Sequence, residues 1–316
     1  MKQPLCSIVE RRNRRLANQY DFQSTIIISG VPRGGTTWLA DLLYEIGDTT
    51  LLMEPLNLYT LAKITDLPFS WRQYIPEDAE WPEAYRFFYE LLTGQIIHPY
   101  LFRKWDFPLK LTQFHLIKFC RANKLLPWIV ANFPVRPPIF LIRHPCAVVA
   151  SQLRHGGWEN MMPPFHVPST PYSKEFYKPY IDILASLKTQ EEILAAMWCM
   201  DNIVPLRHPQ NDQKWITVAY ESLVKNGSEE LKRIFGRLGL QVPPQAIRYL
   251  LRPSDSTQIG SPILYGGNQL SAWRKHLTSK QIKMIFDTIL IFGMNDIYYE
   301  DLEPKYENIY KKYPPH

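Results

Sequence analysis

A glycine-rich loop between an apolar segment and an amphipathic segment contains the first residues with evident chemical potential. Residues 30–37 are Gly-Val-Pro-Arg-Gly-Gly-Thr-Thr, directly after the apolar run at 25–29. A loop that leaves a strand and opens a helix directs backbone N–H groups, and the positive end of the helix dipole, towards a phosphate. Arg33 adds a cation within the loop. The segment therefore predicts a phosphate-binding site.

The cation of this loop differs from that of the Walker A loop in magnesium-dependent nucleotide enzymes. Gly30 and Gly35 have the Walker A spacing, but Thr36 stands where that loop requires lysine. The second buried strand ends in Arg143 instead of the carboxylate that holds magnesium. These residues favour phosphate recognition without a metal, and we expect no metal site. A P-loop nucleotide kinase and a non-catalytic nucleotide-binding module remain alternatives.

Strands and helices alternate along the chain. Apolar runs without polar alternation predict strands covered on both faces, as in a parallel sheet. Helices follow them, with apolar residues at helical spacing. This order predicts an α/β fold of three layers with a mostly parallel central sheet. Strands are predicted at 25–29, 138–142 and 214–219, and helices at 37–46, 229–238 and 279–292.

The length allows one large domain or two small ones, and we predict a single domain over residues 1–316 with two insertions. The segments at about 55–108 and 155–180 interrupt the alternation and are rich in Trp, Tyr, Phe and Pro. Such segments are typical of loops that cover a substrate. The expected partner is a small molecule.

Charge and targeting signals narrow the class of protein. The chain has 36 Lys and Arg against 30 Asp and Glu, a net charge of +6 that suits an anionic ligand. No signal peptide or bilayer-spanning run is visible, so we expect a cytoplasmic protein that binds neither membrane nor nucleic acid. The four cysteines form no Cys-x-x-Cys pair, which disfavours a metal knuckle.

Four motifs together resemble the sulfotransferases that use 3′-phosphoadenosine 5′-phosphosulfate (PAPS). Residues 32–39 look like the 5′-phosphosulfate loop of that family, with Arg33 and Gly34 where the cytosolic enzymes have lysine and serine. Arg143, followed eight residues later by Ser151, is similar to the second family signature.

The other two matches lie towards the C-terminus. Tyr220 and the glutamate after it are similar to the strand-ending Tyr-Glu of the family. The segment 266–277 is similar to its C-terminal 3′-phosphate loop, although the usual Arg-Lys-Gly opening is missing. The four matches occur in family order over about residues 25–290.

The resemblance implies a P-loop NTPase-like sulfotransferase fold, a PAPS donor and a 3′-phosphoadenosine 5′-phosphate (PAP) product. Arg33 and the loop N–H groups would stabilise the leaving group, Trp38 would pack on adenine, and Arg143 with Ser151 would bind the 3′-phosphate. The full set of implied donor contacts is Pro32, Arg33, Gly34, Gly35, Thr36, Thr37, Trp38, Arg143, Ser151, Tyr220, Gly266, Gly267, Arg274 and Lys275.

Two residues compete for the role of base towards the acceptor. Glu54 ends the apolar run at 51–53, and the resemblance places a catalytic glutamate near its distance from Arg33. A carboxylate at the carboxyl edge of a sheet is suitably placed to take a proton. His115, with Lys110 as a second cation, resembles the Lys-x-His segment of the cytosolic members with altered spacing. The choice between Glu54 and His115 stays open, and so does the choice between a hydroxyl and a nitrogen as the accepting group.

Overall fold

The centre of the protein is a sheet of five parallel strands in the order β2-β3-β1-β4-β5. The structure is a computed structural model that describes residues 20–96, 98–103, 112–250, 252 and 268–311. Because all five strands run in the same direction, their carboxyl ends meet at one edge of the sheet. The strands are β1 Thr25–Gly30, β2 Thr49–Met53, β3 Phe114–Phe119, β4 Ile139–Ile142 and β5 Ile216–Ala219.

Helices follow the strands and cover both faces of the sheet. The described helices are α1 Thr36–Tyr44, α2 Leu58–Leu61, α3 Pro82–Leu92, α4 Leu126–Asn132, α5 Pro145–His155, α6 Ser173–Tyr177, α7 Ile181–Ser186, α8 Gln190–Arg207, α9 Tyr220–Lys225, α10 Gly227–Arg237, α11 Pro244–Tyr249, α12 Ser279–Ile291 and α13 Tyr306–Ile309. Helices α8 and α12 each begin with a capping box, in which a threonine and the residue at the third helical position exchange hydrogen bonds.

Side-chain alternation along the strands builds the three layers. Ile26 and Ile28 pack in an apolar cluster with α1 and α10, whereas Ile27 lies in a cluster on the opposite face with α3 and α4. Phe140 and Ile142 of β4 extend that opposite face towards α5, α8 and α12. The three-layer α/β prediction is therefore confirmed.

Strand β3 was not among the predicted elements. Its charged and imidazole side chains interrupt the apolar pattern, yet it pairs with β1 on one side and with β2 on the other. Within the part of the chain that the structure describes, no helix is both long and apolar enough to cross a bilayer.

The aromatic insertions mainly build apolar core. Phe69, Trp81, Phe87 and Phe88 of the first insertion are buried in the cluster that covers β1, β2 and β3. These four side chains therefore pack the insertion against the sheet.

A buried ion pair fastens the first insertion to helix α8. The Arg72 Nε atom lies 2.6 Å from a carboxylate oxygen of Asp201, and both side chains are less than a tenth exposed. The Lys124 ammonium lies 3.6 Å from the other oxygen of the same carboxylate. Gln73, beside Arg72, donates a hydrogen bond of 2.7 Å to the carbonyl of Pro171, so the two insertions also contact each other.

Candidate active site

A cavity of about 350 Å³ opens at the carboxyl edge of the sheet, where the loops after all five strands meet. Its volume is in the range of roughly 300–1,000 Å³ that is usual for ligand sites. The cavity brings together most of the residues that the sequence predicted for the site. Those that line it are Pro32, Arg33, Gly35, Thr36, Thr37, Trp38, Glu54, Arg143, Ser151 and Tyr220.

The loop after β1 has a backbone that ordinary residues rarely adopt. Arg33 has a φ of 69° and Gly35 a φ of 99°, both in the left-handed region. A Cβ atom on Gly35 would stand 2.6 Å from the Tyr220 ring, so only glycine fits. Gly34 donates to the Val31 carbonyl at 2.9 Å and closes the turn without lining the cavity. Helix α1 starts at Thr36, so its first N–H groups have no partner within the helix and face this loop.

Arg33, Arg143 and Ser151 form one contact set. The Arg33 Nε atom donates to the Ser151 hydroxyl at 3.0 Å. Arg143 donates to the Arg33 carbonyl at 3.2 Å, and its guanidinium lies 4.1 Å from the centre of the Tyr220 ring. Burial first, and then the charge of Arg143, lower the pKa of Arg33. Two cations this close create a strong preference for an anion.

Trp38 and Tyr220 form the aromatic part of the wall. The rings meet edge to face at 5.5 Å, and Trp38 is 6% exposed. Tyr220 donates its hydroxyl to Gln269 at 2.9 Å. The contact between Trp38 and adenine stays a prediction.

Glu54 is surrounded by hydrogen-bond donors from the end of β3. Its carboxylate forms an ion pair with Lys118, accepts the Cys120 backbone N–H at 2.9 Å and lies 3.4 Å from the Arg121 guanidinium. Its backbone N–H donates to the Lys118 carbonyl at 2.8 Å, with a φ of 55°. Together these contacts hold the carboxylate at the cavity wall.

The charges around Glu54 decide its protonation state. Burial alone would raise the pKa of Glu54, but the positive charges of Lys118 and Arg121 outweigh burial and lower it. Burial would likewise lower the pKa of Lys118, but Cys120 and Glu54 beside it raise it. Glu54 is therefore an ionised carboxylate, and Lys118 an ammonium, at neutral pH.

The structure does not bring His115 to the cavity. His115 is the second residue of β3, about 10 Å along the strand from Lys118, at the amino edge of the sheet. Its ring stacks on Tyr20 and bonds to the Leu91 carbonyl at 3.0 Å, and burial lowers its pKa to about 4. This placement corrects the suggestion that His115 is the base. Lys110 lies outside the described residues.

The C-terminal segment contributes residues other than those expected. Arg274 and Lys275 do not line the cavity, and Arg274 instead donates to the Glu300 carbonyl at 2.9 Å. Their neighbours Trp273 and His276 do line it, because the 3₁₀ turn Ala272–Lys275 points these two side chains inwards. His276 lies 3.2 Å from the Arg154 guanidinium. Gly266 and Gly267 lie outside the described residues.

Sequence reasoning missed Lys118, Cys120, Arg121 and Arg154. Lys118, Phe119 and Cys120 form a Lys-x-Cys segment at the carboxyl end of β3. The Lys-x-His segment of the family was instead expected nearer the N-terminus, at Lys110 and His115. Arg154 lies three residues after Ser151 on α5, so both face one side of the helix. A correct assignment of β3 would have identified the first three residues.

Positive charge dominates the cavity. Arg33, Lys118, Arg121, Arg143 and Arg154 line it, whereas Glu54 is its one acidic residue among the described part of the chain. No group of three or more His, Cys, Asp or Glu side chains suited to a metal occurs within residues 20–96, 98–103, 112–250, 252 and 268–311. The arrangement can bind a polyanion and, through Glu54, take a proton from a group beside it.

Comparison with known proteins identifies the family. Among solved structures, mouse sulfotransferase SULT7A1 complexed with PAP is 14% identical, with 88% of this chain and 87% of that chain covered and a TM-score of 0.45. A retinol dehydratase in complex with androsterone and inactive cofactor PAP is also 14% identical, with 90% and 85% covered and a TM-score of 0.37. No curated protein matches. A model of the sulfotransferase family matches residues 25–244, which is most of the chain, and the chain therefore belongs to the sulfotransferase family.

Proposed function

We propose that this sulfotransferase moves the sulfuryl group of PAPS to a hydroxyl or nitrogen of a small-molecule acceptor, with Glu54 as the base. The observation that carries the proposal is the cationic cavity around the loop after β1, with one carboxylate at its wall. We further propose that it acts in the cytoplasm, where its described free cysteines would stay reduced.

The order of the strands supports an orientation for the donor. The phosphate-binding loop follows the central strand β1, with β4 and β5 on one side and β3 and β2 on the other. Arg143 and Tyr220 follow β4 and β5, so this side suits the nucleoside and its 3′-phosphate. Glu54 and Lys118 belong to β2 and β3, so the acceptor would enter from the opposite side.

Arg33 and Lys118 have the charges that the leaving group requires. When bound, PAPS supplies a sulfuryl group joined through an oxygen to the 5′-phosphate. Transfer forms a bond from the acceptor atom to sulfur and breaks the bond from sulfur to that oxygen, which gains negative charge. Arg33, Lys118 and the first N–H groups of α1 would stabilise this charge.

Glu54 would take the acceptor proton. The Cys120 N–H and the Lys118 ammonium fix the carboxylate in place, so it needs no rearrangement before the proton moves. An ion pair with Lys118 makes Glu54 a weak base in the free protein. A donor anion that attracts Lys118 would loosen this pair and make Glu54 more basic.

The loop arginine links the two proposed ends of the donor site. In the structure, Arg33 is hydrogen-bonded to Ser151, which the proposal places at the 3′-phosphate. That hydrogen bond uses one of the five N–H donors of the guanidinium, so the other donors are available to the leaving group. The Ser151 hydroxyl accepts the Arg33 N–H and can still donate its own hydrogen to the 3′-phosphate.

Isothermal titration with PAP and with ATP, followed by mass spectrometry of acceptors incubated with PAPS, tests the proposal. We expect tight binding of PAP, weak binding of ATP and acceptors heavier by one sulfuryl group. Tight binding of PAP without any turnover would favour a non-catalytic module. Binding of ATP that depends on magnesium would favour the kinase.

A further inference from the structure

The acceptor side of the cavity contains one cation more than its own carboxylate requires. Lys118, only 5% exposed, forms the close ion pair with Glu54. Arg121, 16% exposed, adds a second positive charge at a longer distance of 3.4 Å. Among the described residues, two positive charges against one negative charge leave this end of the cavity with a net charge of +1.

The Arg121 guanidinium retains most of its hydrogen-bonding capacity. Among the described residues its one polar partner is Glu54, which it contacts through a single nitrogen. A guanidinium has five N–H donors in a planar fork that matches an oxyanion. Since Arg121 lines the cavity, the remaining donors are accessible to a ligand there.

Trp71 keeps this guanidinium in place. The centre of the Trp71 ring lies 4.6 Å from the Arg121 guanidinium carbon, and Tyr59 packs edge to face against Trp71 at 5.3 Å. A stacked guanidinium has its face covered and presents its N–H groups at the edge of the ring system. Less conformational freedom is then lost when an anion binds.

The position of Arg121 separates it from the donor nucleoside. Arg121 follows β3, whereas Arg143 follows β4, and β1 lies between these strands. Two strand spacings correspond to about 10 Å. Arg121 is thus on the side of Glu54 and away from Arg143 and Tyr220, where its charge is available to the acceptor.

We propose that the acceptor carries an oxyanion, such as a carboxylate, close to the atom that receives the sulfuryl group, and that Arg121 binds this oxyanion through its free N–H groups. The proposal rests on the proposed function and names its substrate class.

Binding of such an acceptor would also act on the base. The ionisable groups that face Glu54 are Lys118, Arg121 and Cys120. An acceptor oxyanion that draws Arg121 away removes one of the two charges that lower the pKa of Glu54. Glu54 is therefore more basic when an acceptor with an oxyanion is bound than when a neutral acceptor is bound.

Matched acceptor pairs test the proposal. Wild type, Arg121→Gln and Arg154→Gln are each assayed with PAPS and with 2-hydroxyphenylacetate or its amide, and with 3-hydroxybenzoate or its amide. We expect wild type to prefer the acid by about 10- to 100-fold in kcat/KM, as for a charge-assisted hydrogen bond. Arg121→Gln should bring the ratio close to one, while Arg154→Gln, which removes a cavity cation on α5, should keep it.

Each result separates this proposal from the proposed function. Equal use of acid and amide by wild type, sulfation of the amides alone, or no sulfation of either acid overturns the oxyanion proposal. A preference for the acid that survives in Arg121→Gln also overturns it. Titration with PAP on the same preparations tests the donor site separately, and failure of wild type to bind PAP refutes the proposed function itself.

Discussion

Replacement of Glu54 by glutamine should slow turnover without weakening the binding of the donor nucleotide. The amide oxygen of glutamine can still accept the Cys120 N–H, which Glu54 accepts at 2.9 Å. The substitution removes basicity and one negative charge. The acceptor side, with Lys118 and Arg121, then changes from a net charge of +1 to +2.

The two effects have opposite directions, which makes the variant diagnostic. Loss of a general base typically lowers the rate by about 10²- to 10⁴-fold, or roughly 3–5 kcal/mol of transition-state free energy. The added positive charge favours binding of an anionic donor, so the affinity for PAP should stay the same or rise. If Glu54 only shaped the cavity, its replacement would lower turnover and the affinity for PAP together.

The assay combines single-turnover sulfation of an unreactive alcohol with titration of PAP. An alcohol is required because a phenol ionises easily and needs less help from a base. His115→Asn is the control, since His115 lies at the amino edge of the sheet and should affect stability more than the chemical step. Turnover within a few-fold of wild type in Glu54→Gln, or an inactive and folded His115→Asn, would refute the assignment of Glu54.

Three further perturbations and the pH profile follow from the same geometry. Because neighbouring cations lower the pKa of Glu54 below its ordinary 4.5, the carboxylate of the free protein stays ionised on acidification. The kcat/KM for PAPS, measured between about pH 8 and 6.5 and so above the titration of the donor's 3′-phosphate, should show no acid limb, and a limb near neutrality would indicate another base. Arg143→Ala should weaken the binding of PAP by roughly 1.5–3 kcal/mol in calorimetry, but it should hardly weaken the binding of an analogue that lacks the 3′-phosphate. Equal losses for both ligands would show that Arg143 does not belong to the 3′-phosphate subsite. Gly35→Ala should abolish PAP binding, since its Cβ would meet the Tyr220 ring at 2.6 Å, whereas Gly47→Ala, also at positive φ but with open space around it, should lower only the melting temperature. Excess EDTA should leave sulfation unchanged because cationic side chains face the leaving group, and rescue by magnesium would contradict this mechanism.

Residues that end strands were easier to predict than residues within them. Arg33, Glu54, Arg143 and Tyr220 each follow an apolar run, and parallel strands bring such positions to one edge. The resemblance to the sulfotransferases grouped these four residues in one site, and the common direction of the strands explains why they meet. The donor and base roles assigned to them remain predictions.

The site predictions that the structure corrects concern residues that were judged by their neighbours in sequence, without knowledge of how the strands pair. His115 resembles a catalytic histidine by its neighbours, but register places it opposite Thr25, the first residue of β1. A shift of three residues along the same strand separates a buried structural imidazole from Lys118 at the cavity. Similarly, Arg274 and Lys275 are adjacent to cavity residues in sequence, and the tight 3₁₀ turn directs them outwards. Such distinctions depend on tertiary pairing and on side-chain direction.

The buried ion pair between Arg72 and Asp201 limits the movement of the neighbouring Trp71, which packs against Arg121. Arg72 is next to Trp71, so the wall that supports Arg121 is tied to helix α8 before any acceptor arrives. Moving this wall would separate buried opposite charges, at a cost on the order of 3–5 kcal/mol. An acceptor of the wrong shape therefore cannot be accommodated cheaply by an adjustment of this segment. Under the oxyanion proposal, this preformed surface would set the selectivity for the acceptor when the chain folds.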